Sequence, residues 1–248
     1  MRLEPVQRRS LPDAVFEQLT AEIVAGGLPP GDALPPERAL TEQLGVNRQA
    51  VREALQRMAL LGLIDIHHGE PTRVRDFRSS ASPELLTWLI VRPDGSVDAA
   101  VVRSVFELRA TVGADAARLC AARAVPDTIA AITAVADEMA SAAKASEAVE
   151  LLRLSERFWG LVIDGADNVA YQLLLNVLER VYAPLSVDAV AGLVGDELHD
   201  IAGHRRVASA IAAGNERQAE VAARKVLGRG AAAVTEVLVE REGTGGSH

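Results

Sequence analysis

Apolar residues recur at three- and four-residue intervals along most of the chain, which is the spacing of one buried face on a helix. The first such run consists of Val15, Leu19 and Ile23, and a pair of glycines ends it. Ser10 precedes the run at the position of an N-cap, where its hydroxyl can accept a backbone N–H. The pattern therefore predicts a helix that begins after Ser10 and ends at the glycine pair.

Two shorter helical patterns lie between Leu34 and Leu63, separated by a tight turn at Leu44-Gly45-Val46. A proline pair opens the first pattern, and Asn47, a good N-cap, opens the second. One face of the second pattern is apolar, with Val51, Leu55, Met58 and Leu61. Another face carries Arg48, Gln49 and Arg52. This arrangement is typical of a DNA recognition helix in a helix-turn-helix, although a solvated basic helix in an ordinary bundle is the alternative.

Two short alternating runs, residues 63–67 and 72–75, flank a turn that contains a glycine. Such a pattern is typical of a β-hairpin, here too short to be stable alone. Directly after a helix-turn-helix, the hairpin is interpreted as a wing. Arg73, Arg75 and Arg78 add positive charge beside it, and solvation of the hairpin is the simpler role for them.

The rest of the chain predicts helices, with no strand pattern and no internal repeat. A short polar link at 77–82 leads to a short helix capped at Ser82-Pro83. Longer helical patterns follow at 98–123, 126–144, 146–165, 168–185, 196–213 and 215–240. We therefore expect a mainly α fold, in which an all-α antiparallel bundle of six or seven helices follows a winged helix-turn-helix with a small β-hairpin wing.

The expected domain boundaries follow from these patterns. A winged helix-turn-helix DNA-binding domain occupies residues 1–78, and a linker with a short helix occupies 79–97. A helical effector-binding domain covers 98–241, and the glycine-rich end at 242–248 is expected to be a disordered tail.

The composition supports helices, since apolar residues make up 49% of the chain and aromatic residues only 3%. The net charge of −8 is unusual for a protein that binds DNA. However, residues 1–78 hold 10 basic and 11 acidic side chains, so most of the acidity belongs to the remaining residues. Binding to DNA must therefore depend on where a few arginines point, because non-specific affinity grows with the number of phosphates neutralised.

The same composition excludes several classes of protein. Cys120 is the single cysteine, so no intramolecular disulfide can form, and its apolar surroundings indicate a small buried residue rather than a nucleophile. No signal peptide or membrane span is evident, which favours a soluble, cytoplasmic protein without membrane partners. No Ser/His/Asp grouping, phosphate loop or paired-carboxylate motif points to an enzyme.

Residues 10–78 resemble the winged helix of the GntR family of bacterial transcription regulators. The resemblance rests on the motifs Leu34-Pro35-Pro36-Glu37-Arg38, Leu44-Gly45-Val46-Asn47-Arg48 and Val51-Arg52-Glu53-Ala54-Leu55. It implies that the residues that contact operator DNA are Arg38, Asn47, Arg48, Gln49 and Arg52, with His68 and Gly69 at the wing tip. Where the family has a lysine at this tip, the chain has Glu70, whose charge phosphate repels.

The helical region carries Glu107-Leu108-Arg109, Ser155-Glu156-Arg157-Phe158-Trp159, Asn168, and His204 before Ile211-Ala212-Ala213-Gly214-Asn215. With these motifs it resembles the FadR subfamily of this family, whose bundle encloses an effector pocket. Many such bundles hold a divalent metal through one Asp and three His. The corresponding positions here are Ser155, Trp159, His204 and a position near Val226. One histidine does not make a metal site, so we expect no metal and no other cofactor. A metal-dependent sensor of a small carboxylate metabolite is the alternative on the same fold.

Without these metal ligands, the helical region resembles the fatty-acid-responsive regulator after which the subfamily is named. The resemblance implies a pocket for a fatty acid or long-chain fatty acyl-CoA. The effector-binding residues that it implies are Arg109, Ser155, Trp159, Asn168 and His204. For Arg109 an ion pair with Glu107 or Asp115 is an equal alternative, and for Trp159 and His204 the alternative is a place in the core.

The resemblance also implies the mode of action. The chain is expected to act as a homodimer that binds a palindromic operator in double-stranded DNA. Most members of the family are repressors released by a ligand, and control of lipid metabolism genes would fit the expected effector.

Overall fold

The computed structural model describes residues 10–67, 69–90, 97–145, 148–182 and 194–229. The chain divides into two compact units, Met1–Ser96 and Val97–His248. The first unit contains short helices and a two-stranded sheet, and the described elements of the second are helices. The predicted mainly α fold is therefore confirmed.

The first unit begins with three helices, α1 (Leu11–Ala25), α2 (Glu37–Leu44) and α3 (Arg48–Leu60). The ends of these helices are those that the sequence predicts. The Ser10 hydroxyl accepts the backbone N–H of Asp13, and Asn47 Oδ1 accepts that of Ala50 at 2.8 Å. The turn between α2 and α3 contains Gly45 with a φ of 63°, a conformation that favours glycine. Local capping chemistry therefore sets the helix-turn-helix.

The predicted wing is a two-stranded antiparallel sheet of β1 (Ile64–Asp65) and β2 (Arg73–Val74). Its register places Ile64 opposite Val74, and both side chains are buried. The hairpin is held on the helices by this one apolar face, as expected for a sheet too short to be stable alone. His68, which is predicted to lie at the wing tip, is outside the described residues.

The link after the wing is more structured than predicted. Residues expected to be a polar connection form a short helix, α4 (Phe77–Ser80), because Asp76 caps it and Ser80 Oγ donates to the carbonyl of Gly62 at 2.7 Å. A Cβ on Gly62 would lie 2.2 Å from the Ser80 carbonyl oxygen. Only glycine permits this close approach.

A 3-10 turn, Pro83–Leu85, and the short helix α5 (Leu86–Leu89) follow. They pack on the first unit, because Leu85 belongs to its core and Trp88 lies edge-on to Phe16 with ring centroids 4.8 Å apart. The guanidinium of Arg57 lies 4.5 Å from the Phe16 ring and 4.2 Å from the Trp88 ring. The boundary after residue 78 stays a prediction, and this packing ties part of the predicted linker to the winged helix.

The described part of the second unit is helical. Its helices include α6 (Ala99–Arg123), α7 (Pro126–Ala145), α8 (Ala148–Gly165), α9 (Val169–Tyr182) and α10 (Ile201–Ala212). Residues 194–198 and 216–229 are also helical. Helix α7 packs on α8 and on α10, and α6 packs on α8.

One predicted helix of this unit is wrong. The pattern over 196–213 predicts a continuous helix, but the chain leaves the helical conformation at His199 and Asp200. Asp200 Oδ1 accepts the backbone N–H of Gly203 at 2.9 Å and so begins α10. The predicted ends beyond residues 182 and 229, and the tail at 242–248, lie outside the described residues.

The bundle core consists mainly of small and aliphatic residues. Cys120 is fully buried in it, and this burial raises the pKa of its thiol to about 11. The thiol is therefore protonated and unreactive near neutral pH, in keeping with its predicted place as a small buried residue. None of the helices in the described ranges is long and apolar enough to cross a membrane.

Candidate nucleic-acid interface and ligand cavity

The helix-turn-helix brings the predicted DNA-contacting side chains onto one exposed region. Asn47, Arg48, Gln49 and Arg52 lie at the start of α3, and Arg38 lies at the start of α2. The side chains of the three arginines are 60–91% exposed. Asn47 uses its amide oxygen as the helix cap, so its Nδ2 is the group positioned to act as a donor. This exposed region has the donors that meet phosphates and base edges.

Carboxylates accompany each of these cations. Arg38 Nε lies 3.0 Å from Glu42, Arg48 Nε lies 3.2 Å from Glu37, and Arg52 Nε lies 3.7 Å from Glu37. Gln49 donates to Glu53 at 2.7 Å. Such exposed pairs are worth about 0–1 kcal/mol, so they oppose contact between the arginines and DNA only weakly. The pairing explains how a region with a net charge near zero can still expose guanidinium groups.

Two of the wing arginines make contacts within the first unit. Arg73 donates through Nη1 to the carbonyl of Gly31 at 2.8 Å, and Arg75 lies 3.5 Å from Asp65. Gly69, with a φ of 81°, and Glu70 are both exposed near the tip. Arg73 therefore ties the hairpin to the preceding loop, while Glu70 presents a negative charge.

The second unit contains a cavity of about 330 Å³ between α6, α8, α9 and residues 194–198. Its volume is at the lower end of the range of roughly 300–1,000 Å³ for small-molecule sites. The apolar lining residues are Leu152, Trp159, Leu175, Leu178, Val194 and Leu198. The polar and charged lining residues are Arg109, Ser155, Glu156, Glu179 and Glu197.

Arg109 forms a bidentate ion pair at the cavity wall. Its two terminal nitrogens lie 2.5 and 2.6 Å from the carboxylate oxygens of Glu197. Glu197 is fully buried, and the Arg109 side chain is 20% exposed. The sequence leaves two roles for Arg109 open, and the structure places it at the cavity with a carboxylate partner. That partner is neither Glu107 nor Asp115, the two partners that the sequence suggests.

Both of the suggested partners are bonded elsewhere. Asp115 accepts from Arg118 at 2.8 Å and from the Tyr171 hydroxyl at 2.9 Å. These two bonds, that of Arg118 first, lower the pKa of Asp115. Glu107 lies 3.9 Å from Arg103. Arg109 is thus directed to the cavity by packing between distant segments rather than by a partner on its own helix.

The structure divides the other predicted effector residues into three groups. Ser155 and Trp159 line the cavity on one face of α8. His204 is fully buried beside them, with its ring centroid 6.0 Å from that of Trp159, but it is not a lining residue. Asn168 lies elsewhere, because its Oδ1 caps α9 by accepting the N–H groups of Ala170 and Tyr171.

His204 is held as a neutral core residue. Burial lowers the pKa of its imidazole. Its Nδ1 lies 3.0 Å from the Asp200 carbonyl oxygen, which can only accept, so Nδ1 carries the proton. Its ring is edge-on to Phe158 with centroids 5.2 Å apart. These contacts are those of the core alternative that the sequence leaves open.

Two glutamates at the cavity mouth are absent from the predicted site. Glu156 and Glu179 are exposed lining residues, and partial desolvation, followed by the charge of Glu179, raises the pKa of Glu156. A signal for Glu156 exists in the sequence, because it lies next to Ser155 and three residues before Trp159 on α8. Glu179 offers no such signal, since only the packing of α9 on α8 brings it there.

The residues do not fit a metal ion. Across the described ranges no group of three or more His, Cys, Asp or Glu side chains could hold one. At the positions that correspond to the family's ligands, Ser155 and Trp159 line the cavity and Val226 is buried. His204 Nε2 and Trp159 Nε1 are buried without a hydrogen-bond partner within the part of the chain that the structure describes. One neutral imidazole and an indole do not form a first-row metal site.

Two family models match the chain. A model for bacterial regulatory proteins of the gntR family matches residues 11–74, and a model of the FCD domain matches residues 104–229. The first match covers the helix-turn-helix and the wing. The second covers most of the described bundle, including the cavity.

Individual proteins are similar over longer stretches. The HTH-type transcriptional regulator Mce2R of Mycobacterium tuberculosis is 35% identical over 241 residues, which cover 97% of this chain and 98% of Mce2R. The fatty acid metabolism regulator protein of Edwardsiella ictaluri is 34% identical over 166 residues, covering 67% of this chain and 66% of that protein.

A solved structure shares the fold at low identity. Lar, which controls expression of the Listeria monocytogenes agr system, matches with a TM-score of 0.56 and 15% identity. The match covers 93% of this chain and 99% of the Lar chain. It supports the order of a helix-turn-helix unit followed by a helical unit.

Proposed function

The chain belongs to the GntR family of bacterial regulatory proteins, and we propose that it is a repressor released by a fatty acyl-CoA. At the coarser level it is a DNA-binding transcription regulator with an FCD domain rather than an enzyme. The proposal adds the sign of regulation, a dimer on a palindromic operator, the effector and the control of lipid metabolism genes. The observation that carries the effector assignment is the largely apolar cavity with a buried Arg109–Glu197 pair.

The exposed arginines of the helix-turn-helix support a role in operator binding. Arg48 and Arg52 lie near the N-terminus of α3, the part of a recognition helix that enters the major groove. Arginine suits guanine because its guanidinium can donate two hydrogen bonds to O6 and N7. In a homodimer, two such helices would meet half-sites about one helical turn apart, which makes the operator a palindrome.

The charge of the cavity favours a thioester over a free fatty acid. The guanidinium of Arg109 is already neutralised by Glu197, and Glu156 and Glu179 add negative charge at the mouth. A free carboxylate inside this cavity would be repelled, whereas a thioester carbonyl has no charge; the phosphates of coenzyme A would then have to lie outside the cavity, away from Glu156 and Glu179. The apolar lining residues of α8 and α9 would contact the acyl chain. A relative named as a fatty acid metabolism regulator supports the proposed control of lipid metabolism genes.

The effector can act only by binding two conformations of the protein with different affinity. We propose that the conformation with a filled cavity binds the operator weakly. Ligand binding then increases the population of the weakly binding conformation, and the operator is released. The ligand is bound without any covalent change.

The proposal is tested by operator binding with and without palmitoyl-CoA. The operator is first selected by the full-length protein from a random duplex library, and binding is followed by fluorescence anisotropy. We expect palmitoyl-CoA to weaken binding by at least about tenfold, which corresponds to a coupling free energy of about 1.4 kcal/mol. Coenzyme A alone and palmitate should have smaller effects. Unchanged affinity over a wide range of palmitoyl-CoA concentration would exclude it as the effector.

A pair of variants on α9 links the response to the cavity. Leu175→Trp adds bulk to a lining residue and should abolish the response to palmitoyl-CoA while leaving operator binding intact. Leu173→Trp makes the same change two residues away, at a side chain that is 61% exposed, and should respond like the wild type. Equal responses of the two variants would place the ligand elsewhere.

A further inference from the structure

Glu37 contacts both arginines of the predicted recognition helix. Its Oε2 lies 3.2 Å from Arg48 Nε, and its Oε1 lies 3.7 Å from Arg52 Nε. Each carboxylate oxygen therefore faces a different guanidinium. The two arginines are four residues apart on α3, whereas Glu37 is the first residue of α2. One side chain of the first helix thus joins two side chains of the second.

The backbone of Glu37 is held in α2, and its side chain is less exposed than that of either arginine. It follows Pro36, its carbonyl accepts the hydroxyl of Thr41 at 2.7 Å, and Leu40 on the same helix is buried. The Glu37 side chain is 31% exposed, while those of Arg48 and Arg52 are 75% and 60% exposed. Long exposed arginines lose rotamer entropy when they bind. A fixed carboxylate that limits their freedom reduces this loss.

The contacts also determine how much charge the region offers to DNA. Glu37 meets both guanidinium groups at Nε, so one negative charge is shared between two positive charges. Affinity for DNA of any sequence rises with the number of phosphates that cations neutralise. Sequence is read by donors that are correctly oriented at base edges. A carboxylate in this position should therefore lower the affinity for DNA of any sequence and improve the reading of base edges.

We propose that Glu37 is a positioning residue for operator recognition, which aligns Arg48 and Arg52 and reduces their attraction for DNA of unrelated sequence. The inference rests on the proposed assignment of these two arginines to the DNA interface. Its effect is on specificity, meaning the ratio of the affinity for the operator to the affinity for other DNA. A role in stability alone would leave this ratio unchanged.

Three variants of the full-length protein separate positioning from net charge. Glu37→Gln removes the negative charge, and Glu37→Asp keeps the charge but shortens the side chain so that it cannot reach both arginines. Glu22→Gln is the matched control, because Glu22 is an exposed residue of α1 and its change alters the net charge of the unit by the same amount. Thermal unfolding of each variant shows whether it is folded.

Binding is measured on two duplexes at several salt concentrations. One is the operator selected from a random library, and the other is a scrambled duplex of equal length. For Glu37→Gln and Glu37→Asp we expect the ratio of the two affinities to fall by about tenfold, the order of one well-aligned arginine–guanine contact. In Glu37→Gln the dependence of log affinity on log salt should steepen by about 1, since a neutralised arginine becomes available to phosphate. Glu22→Gln should leave the ratio and this slope unchanged.

The results separate a failure of the positioning role of Glu37 from a failure of the assignment of Arg48 and Arg52 to the DNA interface. If Arg48→Ala and Arg52→Ala both leave operator affinity unchanged, the assignment of the interface is wrong. If they weaken it but the two Glu37 variants keep the wild-type ratio, only the positioning role is overturned. An equal rise in affinity for both duplexes in Glu37→Gln would mean that Glu37 acts through charge alone.

Discussion

Arginine–carboxylate pairs occur in both units of this protein, but in opposite surroundings. In the helix-turn-helix, Arg48 and Arg52 contact Glu37 with side chains that are mostly exposed. At the cavity of the bundle, Arg109 contacts a carboxylate of Glu197 that is fully buried. The first kind of pair opposes contact between its arginines and DNA only weakly, because water already screens the charges. The second cannot open without leaving a charge inside the protein.

This difference fits the two tasks in the proposed function. A surface that binds and leaves DNA needs cations that stay accessible beside their partners. A cavity that distinguishes ligands needs polar groups whose positions do not change when it is empty. Under that proposal, burial separates the pair suited to DNA from the pair suited to a ligand.

The largest expected effect on the free energy of unfolding comes from breaking the Arg109–Glu197 pair. Arg109→Ala leaves the Glu197 carboxylate in the core without its partner, and we expect a loss of about 3 kcal/mol in the free energy of unfolding. Urea unfolding followed by tryptophan fluorescence can measure it in a Trp88→Phe background, where Trp159 reports on the bundle. Arg48→Ala, made at an exposed pair of the first unit, should change the free energy of unfolding by less than about 0.5 kcal/mol, measured with Trp88 as the reporter in a Trp159→Phe background.

A double variant shows whether the loss comes from the unpaired charge. Replacing Arg109 by Met and Glu197 by Leu removes both charges and keeps apolar volume, so most of the lost stability should return. If Arg109→Ala costs no more than Arg48→Ala, the contrast between the two pairs is refuted.

The sequence could predict those parts of the fold that depend on local chemistry. Ser10, Asn47 and Gly45 act on backbone groups within a few residues, so their positions along the chain were sufficient to predict the helix ends. The wing follows from alternation over two short runs, but the register of Ile64 opposite Val74 does not, and Ile66, on the face that alternation would bury, is exposed.

The cavity depends on contacts between residues far apart in sequence, which periodicity cannot supply. Arg109 and Glu197 are 88 positions apart, and a break at His199 and Asp200 separates Glu197 from the helix with which the periodicity joins it. The family resemblance implies Asn168 as an effector residue, but its amide oxygen caps α9. Trp88 belongs to the predicted linker, yet it packs on Phe16.

An intermediate effect on the free energy of unfolding is expected for Arg57, which lies over two aromatic rings. Arg57 stacks on Phe16 and Trp88 and donates to Asp13 at 2.6 Å. Arg57→Ala should cost about 1 kcal/mol, since it removes cation–π contacts and a partly exposed ion pair. Arg57→Lys keeps the charge but not the planar group, so it should recover part of this loss. Fluorescence of Trp88 in a Trp159→Phe background would measure both.

The cost of Arg57→Ala should also depend on pH. The Ser10 hydroxyl first, and then Arg57, lower the pKa of Asp13 below its ordinary value of 3.8. The stabilisation from the ionised Asp13 is therefore complete above about pH 4 and is lost as the pH falls through the lowered pKa. The difference between wild type and variant should shrink in acid. A constant difference across this range would mean that the ion pair contributes nothing and that stacking accounts for the cost.

The smallest expected effects on the free energy of unfolding concern two glutamates on α8. Partial desolvation at the cavity mouth and the charge of Glu179 raise the pKa of Glu156, whereas a hydrogen bond from Arg153 lowers that of Glu150. A raised pKa means that folding penalises the ionised form, so stability falls as the pH rises from 4.5 through the raised value. Glu156→Gln should therefore stabilise the bundle near neutral pH, by less than about 1 kcal/mol given solvent screening.

Glu150→Gln should have the opposite sign. Its lowered pKa means that the ionised form stabilises the fold above pH 4.5, and this contribution is lost as the pH falls through the lowered value. The variant should thus be less stable than wild type near neutral pH, and both differences should vanish in acid. Urea unfolding at neutral and acidic pH, with Trp159 as the reporter, compares the two variants directly. Equal signs would show that the cavity mouth is solvated like any other surface, and the argument that its negative charge disfavours a free carboxylate would then lose its basis.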